Sequence, residues 1–97
     1  MSRWTEEDPW VWVVVQDPER NEQFLGQHDQ ERDVSFIPFF RDKEEAQAGL
    51  SGLARDEELK HEIQAIRYRN LAEHAGRNGF RLFLLDGRGA ILEKLEP

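Results

Sequence analysis

The chain contains no cysteine, which excludes a disulfide framework, a thiolate metal site and a cysteine nucleophile. Serine is scarce: only Ser2, Ser35 and Ser51 occur, and none stands in the context of a nucleophile elbow. No glycine-rich loop leads into a Lys-Ser or Lys-Thr pair, so a phosphate loop of the Walker type is absent. Asp86-Gly87-Arg88-Gly89 lacks the alternating oxygen ligands of a calcium loop and reads as a plain hairpin turn. Long apolar runs are missing too. The valine-rich stretch after Pro9 is far shorter than a signal h-region or a membrane span, and the acidic start, with Glu6, Glu7 and Asp8, is unlike a basic leader. The expectation is a cytoplasmic protein without membrane association.

Basic residues are outnumbered, 13 against 20 acidic, for a formal net charge of −7. That balance favours solubility and opposes non-specific capture by nucleic acid, so nucleic-acid binding is not expected. His28, His61 and His74 are isolated in sequence and form no HExxH pattern. They read as surface or boundary side chains, and no metal, cofactor or catalytic residue is assigned. The carboxylates are read as a solvating surface, since position alone shows no split in acidity between a pair.

What is present suits one domain of 97 residues. Apolar residues concentrate in Trp10–Val15, Phe36–Phe40 and Phe80–Leu85. Residues 1–9 are expected to form a flexible N-terminal arm, with Trp4 either free or packed back on the body, and residues 10–97 a single domain. Trp10 to Gln16 is β-branched and aromatic on both faces, the mark of an internal strand covered on both sides. Asp17-Pro18-Glu19-Arg20-Asn21 breaks it with turn chemistry, and Glu22 to Gly26 returns as a short strand. Gln27 to Asp33 reads as a polar connection. Val34 to Phe40 is a strand in which Pro38 implies an edge position, a bulge or a missing ladder bond.

Asp42-Lys43-Glu44-Glu45 has the spacing of a capping box opening a helix through Ala46, Leu50 and Leu53. The stretch from Asp56 to Ala75 can be one helix by period alone. The preferred reading breaks it into a strand, His61 to Arg67, and a short helix to Gly76 opened by a second capping box at Asn70 and Glu73. Phe80 to Leu85 and Ala90 to Leu95 then close the chain as a hairpin through Asp86-Gly87. The result is an α+β fold: a mixed five- to six-stranded sheet with two helices, in the order β-β-β-α-β-α-β-β.

Four features in order carry a resemblance: the aromatic-valine first strand; Ile37-Pro38-Phe39-Phe40 running into Asp42-Lys43-Glu44-Glu45-Ala46; Glu62 to Ile66 with Asn70 to Ala75; and Phe80 to Ile91 through Asp86-Gly87. This plan resembles the amino-terminal domain of the SseB family over roughly residues 34–91. The resemblance implies a compact α/β domain used for protein contact and carries no catalytic constellation.

The function expected is therefore a non-enzymatic protein-interaction or assembly module, acting on a protein partner or on a second copy of itself. Trp10, Trp12, Phe36 and Phe40 are the interface candidates, because large aromatics are favoured at interfaces. The rival reading is a small enzyme or an anion- or ligand-binding domain that uses an Arg/His-lined surface. Its candidates are Arg67, Arg69, Arg77, Arg81 and Arg88 with His61 or His74, and it requires a concave site that gathers a histidine with two of the arginines.

Overall fold

Strand β1 (Trp10–Gln16) is the organising element of the structure, a computed structural model that describes residues 3–97. In chain order the elements are α1 (Arg3–Glu6), β1, β2 (Gln23–Phe24), β3 (Gln27–Asp29), β4 (Val34–Phe40), α2 (Lys43–Leu50), β5 (His61–Arg67), α3 (Tyr68–Asn78), β6 (Arg81–Leu85) and β7 (Ile91–Leu95). The seven strands form one mixed sheet. The α+β expectation holds, with β3 and the short α1 added to the elements read from sequence. Among the described residues no helix is long and apolar enough to cross a membrane.

β1 pairs along its whole length with β5, from Trp10↔Arg67 to Gln16↔His61. Its other edge is shared: β4 takes Trp12 and Val13, and β2 takes Val15 and Gln16. β4 divides its own edge in the same way, giving Phe39 and Phe40 to β1 and Val34 to Phe36 to β3. The segment β2–β3 is therefore a wedge inserted where β1 and β4 splay apart, pinned by the Leu25 amide donating to the Val14 carbonyl at 2.8 Å. Gln27 to Asp29, expected as a connection, is the half of this wedge that pairs with β4.

β4 is interior, because β6 runs parallel to its second edge. The proline is tolerated through the missing-bond alternative: on the β1–β3 side, Ile37 and Pro38 fall between the two paired stretches and have no ladder partner there.

The stretch 61–78 is broken into strand and helix. β4–α2–β5 crosses β1 in one direction, and β5–α3–β6 crosses back in the other. Crossovers of one hand that run in opposite directions place their helices on opposite faces. Alternation along the strands sorts the core accordingly. Val11, Val13, Val15, Ile37, Phe39, Leu82 and Leu84 meet Leu71 and Ala75 of α3. Val14, Phe40, Phe83 and Leu85 meet Ala46 of α2, with Leu25 and Leu53 beside them.

α2 starts where the sequence places it, but the capping of both helices departs from the sequence reading. Asp42 caps α2, accepting the Glu45 amide at 2.8 Å, but Glu45 does not reach back. Its carboxylate instead accepts the Gly87 amide in the β6–β7 turn. α3 starts at Tyr68 and ends at Asn78, so Asn70 lies inside the first turn and is not a cap; no side chain at the helix's own N-cap supplies one. The Asp8 carboxylate takes that place, accepting the Arg69 amide at 2.8 Å, while the Pro9 carbonyl accepts the Tyr68 amide at 2.9 Å. Trp4 takes the packed of its two placements, with its ring parallel to Phe39 at a centroid distance of 6.5 Å. Residues 1 and 2 of the expected arm lie outside the described residues.

Candidate functional site

The carboxyl ends of β4, β5 and β6 point the same way, and α2 and α3 begin there. β1 also starts at this end, which places Trp10 and Trp12 beside the β4–α2 and β5–α3 junctions. Three tryptophans meet cations as a result. The Arg41 guanidinium lies 5.4 Å from the Trp4 ring centre, Lys43 Nζ 5.9 Å from that of Trp12, and the Arg67 guanidinium 4.5 Å from that of Trp10. A cation over an indole face is held by the ring quadrupole, and Arg67 is fixed further by donating to the Asp8 carbonyl at 3.0 Å. The partners are far apart in sequence, so no local pattern could have shown them.

The four aromatic interface candidates have different fates. Trp10 is 56% exposed. Trp12 is half-buried against the α2-side core, and Phe36 is half-buried and stacked on Phe83 with ring centres 4.2 Å apart. Phe40 is fully buried, which removes it as an interface residue. It lies on the inner face of an interior strand directly beneath α2, where a Cβ on Gly49 would stand 2.6 Å from its ring.

Beside Trp10 lies the outer edge of β5. Seven residues pair with β1 on one side, without a register shift and without proline, and among the described residues no strand pairs with the other side. Ala65, next to the central Gln64, is exposed, and Ile63 and Ile66 are half-buried on opposite faces. An open edge of this length is a template for another strand.

The arginine candidates divide between the two ends of the sheet. Arg67 and Arg69 lie at the β5–α3 junction and Arg88 in the β6–β7 turn. Arg77 and Arg81 lie at the opposite end of the sheet, because α3 carries the chain roughly 16 Å before β6 begins. Arg77 faces Glu73 at 4.0 Å, and Arg81 pairs with Glu96. The histidines are separate again. His28 lies 3.2 Å from both Ser35 Oγ and Asp33. His61 Nε2 is buried without a hydrogen-bond partner. His74 meets Phe24 edge-on at 4.6 Å in clefts lined with Glu22 and Gln23 and with none of these arginines. The Arg/His site required by the rival reading is not assembled in these clefts.

Three groups among the described residues have shifted acidities. The Arg32 guanidinium, bonded to Asp29 at 3.0 Å, holds that carboxyl below its usual value against the opposing effect of burial. Glu19, bonded to Lys60 at 3.0 Å, raises the ammonium. Burial, aided by Glu93, raises the Tyr68 phenol. These groups are scattered, so they do not form an acid–base pair of the kind catalysis uses. Among the described residues no group of three or more His, Asp or Glu side chains could hold a metal ion. No family model, no curated protein and no solved structure matches the chain.

Proposed function

We propose that the chain is a non-enzymatic protein-interaction module that assembles by strand addition at β5, with a second copy of itself as the partner. The observation that carries this reading is the open seven-residue edge of β5 with the exposed Trp10 beside it. Two copies related by a two-fold axis normal to the sheet would pair β5 antiparallel. With Gln64 opposite Gln64, each Ile63 meets the Ala65 of the other copy, and the two sheets become one. Backbone pairing supplies the order, and Trp10 with its Arg67 cover supplies an aromatic flank of the type enriched at interfaces. The resemblance to the SseB amino-terminal domain points to the same class, protein contact without chemistry.

Light scattering across the micromolar range tests this directly. The expected result is a dimer that dissociates on dilution and is lost in Ala65→Lys, because a charge at the middle of an edge strand blocks a neighbouring strand. Ala65 is exposed, so this variant should keep the melting behaviour of the monomer. A protein that stays monomeric at the highest concentration, or an Ala65→Lys dimer as tight as the parent, would sink the reading.

A further inference from the structure

At the end of the sheet opposite Trp10, the α2 face is not covered by α2. A cleft of about 480 Å³ opens there between the β3–β4 turn, the start of β6 and the end of β7, with Arg32, Val34, Arg81, Phe83, Lys94 and Glu96 among its lining residues. Its size falls within the range that holds a small organic ligand. Its charge runs against that of the molecule: three cations and one carboxylate line it, in a chain of net charge −7. Val34 supplies the accessible apolar wall, and the almost wholly buried Phe83 ring, stacked on Phe36, lies beneath it.

The three cations are not equivalent. Arg32 is held by Asp29 at 3.0 Å, and Arg81 is held by Glu96. Lys94 projects from β7 onto the same face as Phe83, with its ammonium 5.4 Å from that ring's centre. Among the described residues it has no carboxylate partner. Two guanidiniums paired with carboxylates thus line one cleft with an ammonium that lies over an aromatic ring.

We infer that this cleft binds a small organic carboxylate with an apolar body. Its acid group would sit on Lys94 in the cleft that Arg32 and Arg81 also line, and its body against Val34 above the buried Phe83 ring. The Glu96 carboxylate on Arg81 occupies one position that such an acid could take, so it competes with the ligand.

The site is independent of the β5 edge, and its test can fail without touching the assembly reading. Amide chemical shifts are followed by NMR while the full chain is titrated with 2-naphthoate and, separately, with octanoate, which distinguishes a flat aryl acid from an acyl chain. Saturable shifts at Arg32, Val34, Arg81, Phe83 and Lys94 with either acid are expected. The neutral analogues 2-naphthalenemethanol and octanol should bind roughly tenfold more weakly, as should the acids to Lys94→Gln, since a charge-assisted bond is lost in each case. Glu96→Gln should bind the acids several-fold more tightly, an effect that a merely structural role for Glu96 would not give. The proposal is overturned if neither acid shifts these amides, if acid and alcohol bind alike, or if Glu96→Gln weakens binding.

Discussion

The Asp8 carboxylate accepts the backbone amide of Arg69 at 2.8 Å, joining residues 61 positions apart. Asp8 does this from a left-handed backbone, φ 51°, in a loop that the Arg67 guanidinium grips through the Asp8 carbonyl. The first turn of α3 is thereby capped by the N-terminal segment. This arrangement also fixes Trp4 and Trp10 at one end of the sheet.

Asp8→Ala should destabilise the protein by about 1–2 kcal/mol, through loss of the cap and the cost of a left-handed alanine. Asp8→Asn should recover most of that loss, since asparagine accepts the same bond and tolerates the same φ. Asn70→Ala should change stability by less than about 0.5 kcal/mol, because Asn70 is inside the helix. Urea denaturation of the three variants separates the two capping assignments.

Gly49 and Gly52 make a second contrast. Gly49→Ala gains about 1 kcal/mol of helix propensity, but its Cβ would stand 2.6 Å and 2.8 Å from ring atoms of the fully buried Phe40. Overpacking of this kind costs about 1–3 kcal/mol, so the variant should be less stable than the parent. Gly52→Ala meets nothing closer than the Gly49 carbonyl at 3.6 Å and should be neutral or slightly stabilising. Thermal melting of both variants checks the difference in sign.

Tyr68 is the single tyrosine, so its ionisation can be followed directly by tyrosinate absorbance. Burial first, and then the Glu93 charge, raises its folded-state pKa above the ordinary value of 10.0. The unfolded chain therefore loses the proton first. The stabilising effect is complete below pH 10 and is lost as pH rises through the folded-state value. The expected outcome is a spectroscopic midpoint above 10.0 in the folded protein and a fall in stability over that interval, which Tyr68→Phe abolishes.

Gln27 pins the loop between α2 and β5 to the wedge: its Nε2 donates to the Ala54 carbonyl at 2.6 Å, and its Oε1 accepts the Ala54 amide at 3.0 Å. This mimics a pair of backbone ladder bonds. Gln27→Ala should cost about 1–2 kcal/mol for the two bonds and should speed hydrogen exchange at the Ala54 amide. Unchanged exchange there would show that the loop is held by Leu53 packing alone.

The local patterns legible in this sequence were those whose cause is local. The unbroken Val11–Val15 apolar run specified a strand covered on both faces, Asp42 specified the start of α2, and Asp86-Gly87 specified the closing turn, where the Asp86 carboxylate accepts the amides of Arg88 and Ala90 at 2.8 and 3.0 Å. The break before Tyr68 was also legible. The helix that follows was misplaced at its start because its cap comes from Asp8, and no window around Asn70 contains that residue. Only the β2 half of the wedge, within Glu22 to Gly26, was legible; Gln27 to Asp29 has no apolar alternation of its own and becomes a strand only because β4 offers it an edge.

The fold class and the absence of thiol, Walker and nucleophile-elbow motifs were determined by the sequence alone, since composition and spacing are properties of the chain. Which aromatics face water was decided only by the tertiary structure. Phe40 and Trp10 both carry large aromatic side chains, yet the strand order places one beneath α2 and the other beside an open edge. The same order divided the arginine candidates between the two ends of the sheet and brought Arg32 and Lys94 to one cleft from distant parts of the chain. Electrostatic neighbours are set by register and crossover direction, which arise only when the strands pair.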